Sequence, residues 1–167
     1  MDIIFDVDGT LLDIEHRLHF LKKSPKDWKA FRDPELKDLD EPRMEVIRIA
    51  ESLGSYRKRT HNPAKSTGGP NSADVNRLIL ASGRVLAESS DTLTSLSKFM
   101  DINVFERTYF RSNKDFREDI EVKSDMLNKM RKHGYDPVMA FDDRPSVIRM
   151  WRERGLVVAD VGYGKEF

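Results

Sequence analysis

A chain of 167 residues fits one domain with a buried core and leaves no room for a second catalytic domain. Charged residues make up 35% and hydrophobic ones 38%, the balance of a soluble globular protein; the lack of cysteine removes disulfides, thiolate nucleophiles and Cys-ligated zinc, in keeping with a reducing cytoplasm. Lys plus Arg equals Asp plus Glu at 29 each, so no overall field draws the chain to nucleic acid or membrane, and any polyanion contact must be local.

The chain opens on the apolar run Ile3 to Phe5, predicted as a buried strand, which delivers Asp6 and Asp8 into a Gly9-Thr10 turn. Residues two apart on an extended chain project to the same side, so both carboxylates can face one substrate, although strand acids also serve simply to cap turns. Asp2 and Asp6 interrupt the only apolar stretch near the N-terminus, so neither a signal peptide nor a membrane span is expected. Residues 14 to 41 carry His16, Arg17, His19, Trp28 and Phe31 among many charges, where a small flap or helical cap is expected. A helix opening at Pro42 places Val46, Ala50 and Leu53 on one face and is predicted to stop at Gly54.

Residues 55 to 77 form a Gly/Pro/Asn/Ser-rich insertion with Arg57, Lys58, Arg59, His61 and Lys65. It reads as a solvated loop or as a cationic arm for a phosphate backbone. Further strands are predicted at Leu78 to Ala81, Thr108 to Phe110, Val138 to Phe141 and Val157 to Val161. One helix from Asp119 carries Val122, Met126 and Met130 and ends at Gly134; another from Pro145 buries Val147, Ile148 and Trp151 and ends at Gly155. Strands alternating with helices imply an α/β fold with a mostly parallel central sheet, helices on both faces and the ligand site beyond the strands' carboxyl ends.

Each strand end carries candidate chemistry. A carboxylate that attacks a phosphate ester brings two anions together, so cations and hydrogen-bond donors must be at hand. Ser82-Gly83-Arg84 offers a hydroxyl and free backbone N–H groups at a strand-to-helix turn. Lys123 lies early in its helix and either neutralises a phosphoryl group or is a surface lysine. Asp142 and Asp143 end a strand as a pair, and Asp6, the backbone carbonyl of Asp8 and one acid of this pair would seat a Mg2+ ion, which takes one or two carboxylates and keeps several waters. Asp143 is alternatively a helix N-cap ahead of Pro145.

Response-regulator receivers use similar parts in another order, with the accepting aspartate in mid-chain. The order found here resembles the haloacid dehalogenase superfamily of phosphotransferases and, within it, the 3′-phosphatase domain of the bacteriophage polynucleotide kinase/phosphatase family. The likeness rests on Phe5 through Leu11, on Arg17, on Ser82-Gly83-Arg84, on the block from Arg111 through Asp119 to Lys123, and on Asp142-Asp143-Arg144 running to Met150-Trp151-Arg152. It implies a three-layer Rossmann-like fold, an aspartyl-phosphate at Asp6, general acid then base chemistry at Asp8, and phosphate stabilisation by Ser82 and Lys123. It further implies substrate contacts through Arg17, Gly83, Arg84 and Arg111, with Asp119 orienting Lys123 from four residues away.

The expected substrate is a 3′-phosphorylated DNA or RNA end, or a nucleotide. The rivals are a small-molecule phosphatase of the same superfamily and a binding module without turnover. No Gly-x-x-x-x-Gly-Lys-Ser/Thr string occurs, so 5′ kinase activity is not expected. The flap is too small for a large lid, and an open site admits a strand terminus. Oligomeric state leaves no mark on the sequence.

Overall fold

The computed structural model describes residues 1–60 and 76–164. Its centre is a sheet of five parallel strands: β1 (Asp2–Phe5), β4 (Arg77–Val85), β5 (Phe105–Arg111), β6 (Pro137–Asp142) and β7 (Val157–Asp160), in the order β5-β4-β1-β6-β7. β1 is only four residues long, yet it lies in the middle and is paired on both edges, which suits a strand with no polar residue between Asp2 and Asp6.

Alternate residues of each strand feed opposite layers. Ile3, Phe5, Leu78, Leu80 and Phe141 face one cluster, which α4 (Met44–Thr60) covers with Val46, Ile47 and Ala50 and α5 (Ser89–Ser97) with Leu96. Ile4, Ile79, Ala81 and Ala140 face the other, covered by α6 (Asp119–Lys132) and α7 (Pro145–Glu153) through Val122, Met126, Met130, Val147 and Trp151. Register is fixed between neighbours: Phe5 pairs with Phe141 and their rings stack 4.4 Å apart, while Asp2 accepts from the Arg77 guanidinium and from the Asp136 N–H at the opposite end of the sheet.

The flap is a closed excursion. β2 (Leu12–Asp13) pairs antiparallel with β3 (Glu41–Pro42), and between them run three single-turn helices, α1 (Glu15–Leu18), α2 (Trp28–Phe31) and α3 (Pro34–Lys37). Asp27 and Asp33 cap the second and third through the N–H groups of Ala30 and Glu35.

Several sequence expectations need correction. The helix expected from Pro42 begins at Met44, because Pro42 lies in the ribbon that closes the flap. It also runs through Gly54 to Thr60: a Cβ on Gly54 would stand 2.7 Å from the Cβ of Val104, so this glycine admits a close approach within the helix. Residues 55–60 of the proposed insertion continue that helix and Arg77 begins β4; His61 and Lys65 lie outside the described residues. Ser82-Gly83-Arg84 sits inside β4, where the pairing with β5 is interrupted between Ser82 and Val85, and not at a strand-to-helix turn. Asp143 does not cap α7, whose N-cap residue is Arg144 with no side-chain bond.

Candidate active site

The carboxyl ends of the strands surround a cavity of about 390 Å3 that Asp6, Asp8, Gly83, Arg84, Lys123 and Asp143 help to line. The parallel register creates this convergence. With Phe5 opposite Phe141 and the Asp6 N–H donating to the Phe141 carbonyl at 3.1 Å, the next residues on the two strands, Asp6 and Asp142, leave the sheet side by side.

A buried ammonium sits among their carboxylates. Lys123 Nζ lies 2.9 Å from Asp6 Oδ1, 2.8 Å from Asp142 Oδ2 and 3.6 Å from Asp119 Oδ2. Surrounded by acids, Lys123 keeps its proton far above the ordinary range even though burial opposes the charge. This is the outcome that separates it from a surface lysine. Asp142 also accepts from Trp151 Nε1 at 3.0 Å and from the Arg144 N–H at 3.2 Å, so it is committed to holding the network in place.

Asp6 and Asp143 differ from it. Burial, only partly offset by Lys123, pushes Asp6 well above the usual carboxylate range, and burial together with Asp142 pushes Asp143 up to about 7. One oxygen each from Asp6, Asp142 and Asp143 lie within 4.8 Å of one another. Three buried carboxylates facing one ammonium are short of positive charge, and an oxygen-ligated divalent cation fits that deficit. The Asp8 side chain stands apart from this trio, in a second network. Gly9 makes the turn between the two possible with φ of +84°, and any Cβ there would strike the Asp143 carboxylate at 2.0 Å.

Asp8 is gripped by two arginines. Arg17 Nη2 donates to Asp8 Oδ1 at 2.7 Å; Arg84 donates through Nη2 at 2.6 Å to Oδ1 and through Nε at 3.0 Å to Oδ2. These cations hold the Asp8 carboxyl well below the usual carboxylate range against the effect of burial. Sequence reading missed the fourth member, Asp40, which accepts from Arg17 Nε and Nη2 at 2.7 Å each and from Arg84 Nη2 at 2.8 Å. A half-buried acid facing the cavity and a buried one behind it thus balance two buried arginines.

Arg111 braces the third wall. It donates to the Gly83 carbonyl at 2.9 Å and to Asp119 Oδ1 at 2.9 Å; against the opposing effect of burial, the charges of Lys123, Arg144 and Arg111 lower the pKa of Asp119. Gly83 has no space for a side chain, since a Cβ would lie 2.4 Å from Asp119 Oδ1. Ser82 is fully buried, and its Oγ accepts from the Arg84 N–H at 3.1 Å.

A model of the polynucleotide kinase phosphatase domain matches residues 1–166. The chain belongs to the polynucleotide kinase phosphatase family. That family lies within the haloacid dehalogenase-like phosphatases and makes the chain a phosphoric monoester hydrolase. A protein of Autographa californica nuclear polyhedrosis virus that carries the name bifunctional polynucleotide kinase/RNA ligase is 29% identical over 76 residues, 46% of this chain and 11% of its own length.

Among solved structures, a chain of the Pnkp1/Rnl/Hen1 RNA repair complex superposes with a TM-score of 0.69 at 23% identity, covering 98% of this chain and 43% of that one. A haloacid dehalogenase-like hydrolase from Streptococcus pneumoniae gives 0.65 at 14%, covering 98% and 86%. The chain therefore spans about a tenth of its viral relative and under half of the RNA repair chain. Among the described residues no helix is long and apolar enough to cross a membrane.

Proposed function

We propose that this chain is a Mg2+-dependent phosphomonoesterase that removes 3′-phosphates from polynucleotide ends through an aspartyl-phosphate on Asp6. The reading is carried by one observation: Asp6 shares one cavity with an arginine-gripped Asp8 and with Lys123. Asp6 attacks phosphorus as nucleophile, Asp8 gives a proton to the departing 3′-oxygen, and Asp8 then takes one from the water that hydrolyses the acyl phosphate.

The resting Asp8 is ionised, which suits the second half of that cycle. For the first half it must carry a proton. A substrate phosphate that draws Arg17 and Arg84 away from Asp8 removes the cations that hold its pKa down, so substrate binding itself prepares the acid. Lys123 stabilises the phosphoryl oxygens beside Asp6, while Arg111 and Asp119 hold the Gly83 backbone and Lys123 in position. Ser82 contributes through the backbone of Arg84, the group its hydroxyl contacts.

Asp6, Asp143 and the Asp8 carbonyl would hold the cation, with Asp142 orienting Lys123 behind them; bound there, the metal supplies charge for the attack of one anion on another. The test is phosphate release from a 3′-phosphorylated oligonucleotide, its 5′-phosphorylated counterpart and free mononucleotides, with and without Mg2+. Release is expected from the 3′ oligonucleotide only, to require Mg2+, and to vanish in Asp6→Asn. Equal turnover of mononucleotides would favour the small-molecule rival, and full activity in Asp6→Asn would remove the nucleophile.

A further inference from the structure

Phe116 is the most exposed large hydrophobic residue among those described, at 87%. It belongs to neither hydrophobic cluster, yet it lines the same cavity as Asp6. The loop that carries it is braced on both sides: Arg111 Nη1 donates to the Arg117 carbonyl at 2.6 Å and to the Asp115 carbonyl at 3.3 Å, and Asp115 accepts from Arg117 Nε at 3.0 Å. The ring is therefore presented by a fixed loop, and by the same arginine that builds the catalytic wall.

A second exposed aromatic lines that cavity. Trp28, 45% exposed, opens the flap helix α2 with its ring edge-on to Phe31, with the Arg32 guanidinium 5.3 Å and the Lys26 ammonium 5.6 Å from its centre. Neither Lys26 nor Arg32 is paired with a carboxylate among the described residues. Exposed aromatic faces interleaved with unpaired cations suit flat bases on a charged backbone, and the cavity volume falls within the ~300–1,000 Å3 that takes small organic ligands.

We infer that Phe116 and Trp28 form a nucleobase-stacking site for the last bases of a single-stranded 3′ end whose phosphate lies over Asp6, with Lys26 and Arg32 on the approaching phosphodiesters. The inference rests on the polynucleotide reading above and deepens it: the bases next to the terminal phosphate, and not the phosphate alone, become part of what the site recognises.

The experiment compares kcat/KM on two 3′-phosphorylated single-stranded oligonucleotides that differ only in the terminal residue, one bearing a base and the other a tetrahydrofuran abasic sugar. The wild-type protein is expected to prefer the base-bearing end by about tenfold or more, the scale of one stacked base. Phe116→Ala and Trp28→Ala should each pull that ratio toward one, and Phe116→Tyr should keep it. In the Asp6→Asn protein the base-bearing oligonucleotide should quench Trp28 fluorescence more than the abasic one. Equal wild-type kcat/KM on both ends overturns the stacking site and leaves the 3′-phosphatase reading standing; turnover of neither oligonucleotide overturns both.

Discussion

Asp40, behind Asp8, is placed to set the chemistry proposed for that residue. Its carboxylate shares Arg17 and Arg84 with Asp8, so the two positive charges are divided between two acids. In Asp40→Asn both charges fall on Asp8. Its pKa in the substrate complex then drops, and since on the proposed mechanism the protonated form supplies the leaving oxygen's proton, the alkaline limb of the kcat profile should move to lower pH. A fall in kcat of roughly tenfold, about 1.4 kcal/mol, is expected at neutral pH. An unshifted profile in a variant that melts normally would make Asp40 merely structural. Sequence reading could not single it out: Asp38, Asp40 and Glu41 crowd one short stretch, and only the fold turns one of them inward.

At the scale of elements, Gly54 gives a prediction of opposite sign to helix propensity. Ala in place of an interior helical Gly gains about 1 kcal/mol by propensity alone. Here the added methyl meets Val104 at 2.7 Å, close to that residue's backbone, and overpacking of this kind costs about 1–3 kcal/mol. Gly54→Ala should therefore lower the melting temperature, and Gly54→Ala with Val104→Ala should recover part of the loss. Local rules read Gly54 as a stop because they cannot see Val104.

The central strands β1 and β4 were legible for the converse reason, since short apolar runs buried on both faces have few alternatives. Helix α5 escaped notice. Its Ser/Thr-rich sequence has weak periodicity, and it is held by the burial of Leu96 and by Thr92 Oγ1 donating to the Glu88 carbonyl. The paired acids were legible as candidates, while their division into a Lys123 network and an arginine network needed the three-dimensional register.

For the whole molecule, the cluster of Asp6, Asp142 and Asp143 couples stability to pH and to divalent ions. A carboxyl raised from its ordinary range to about 7 holds its proton more tightly folded than unfolded, so its contribution to stability is lost as pH climbs from about 4 toward 7. A cation needs the ionised form, so its affinity rises over the same window. Mg2+ should accordingly raise the melting temperature more at pH 8 than at pH 6, and Asp143→Asn should abolish most of that difference. A shift independent of pH would place the ion elsewhere.

The central position of the opening strand has a consequence for biosynthesis. Phe5 waits for Phe141, 136 residues further on, before its second edge is covered. At ribosomal speeds of about 5–20 residues per second that is a delay of roughly 7 to 30 s, during which Asp6 has been made but Asp142 and Asp143 have not. Nascent chains should thus be inert toward phosphate esters until the segment that carries Asp142 and Asp143 has been made.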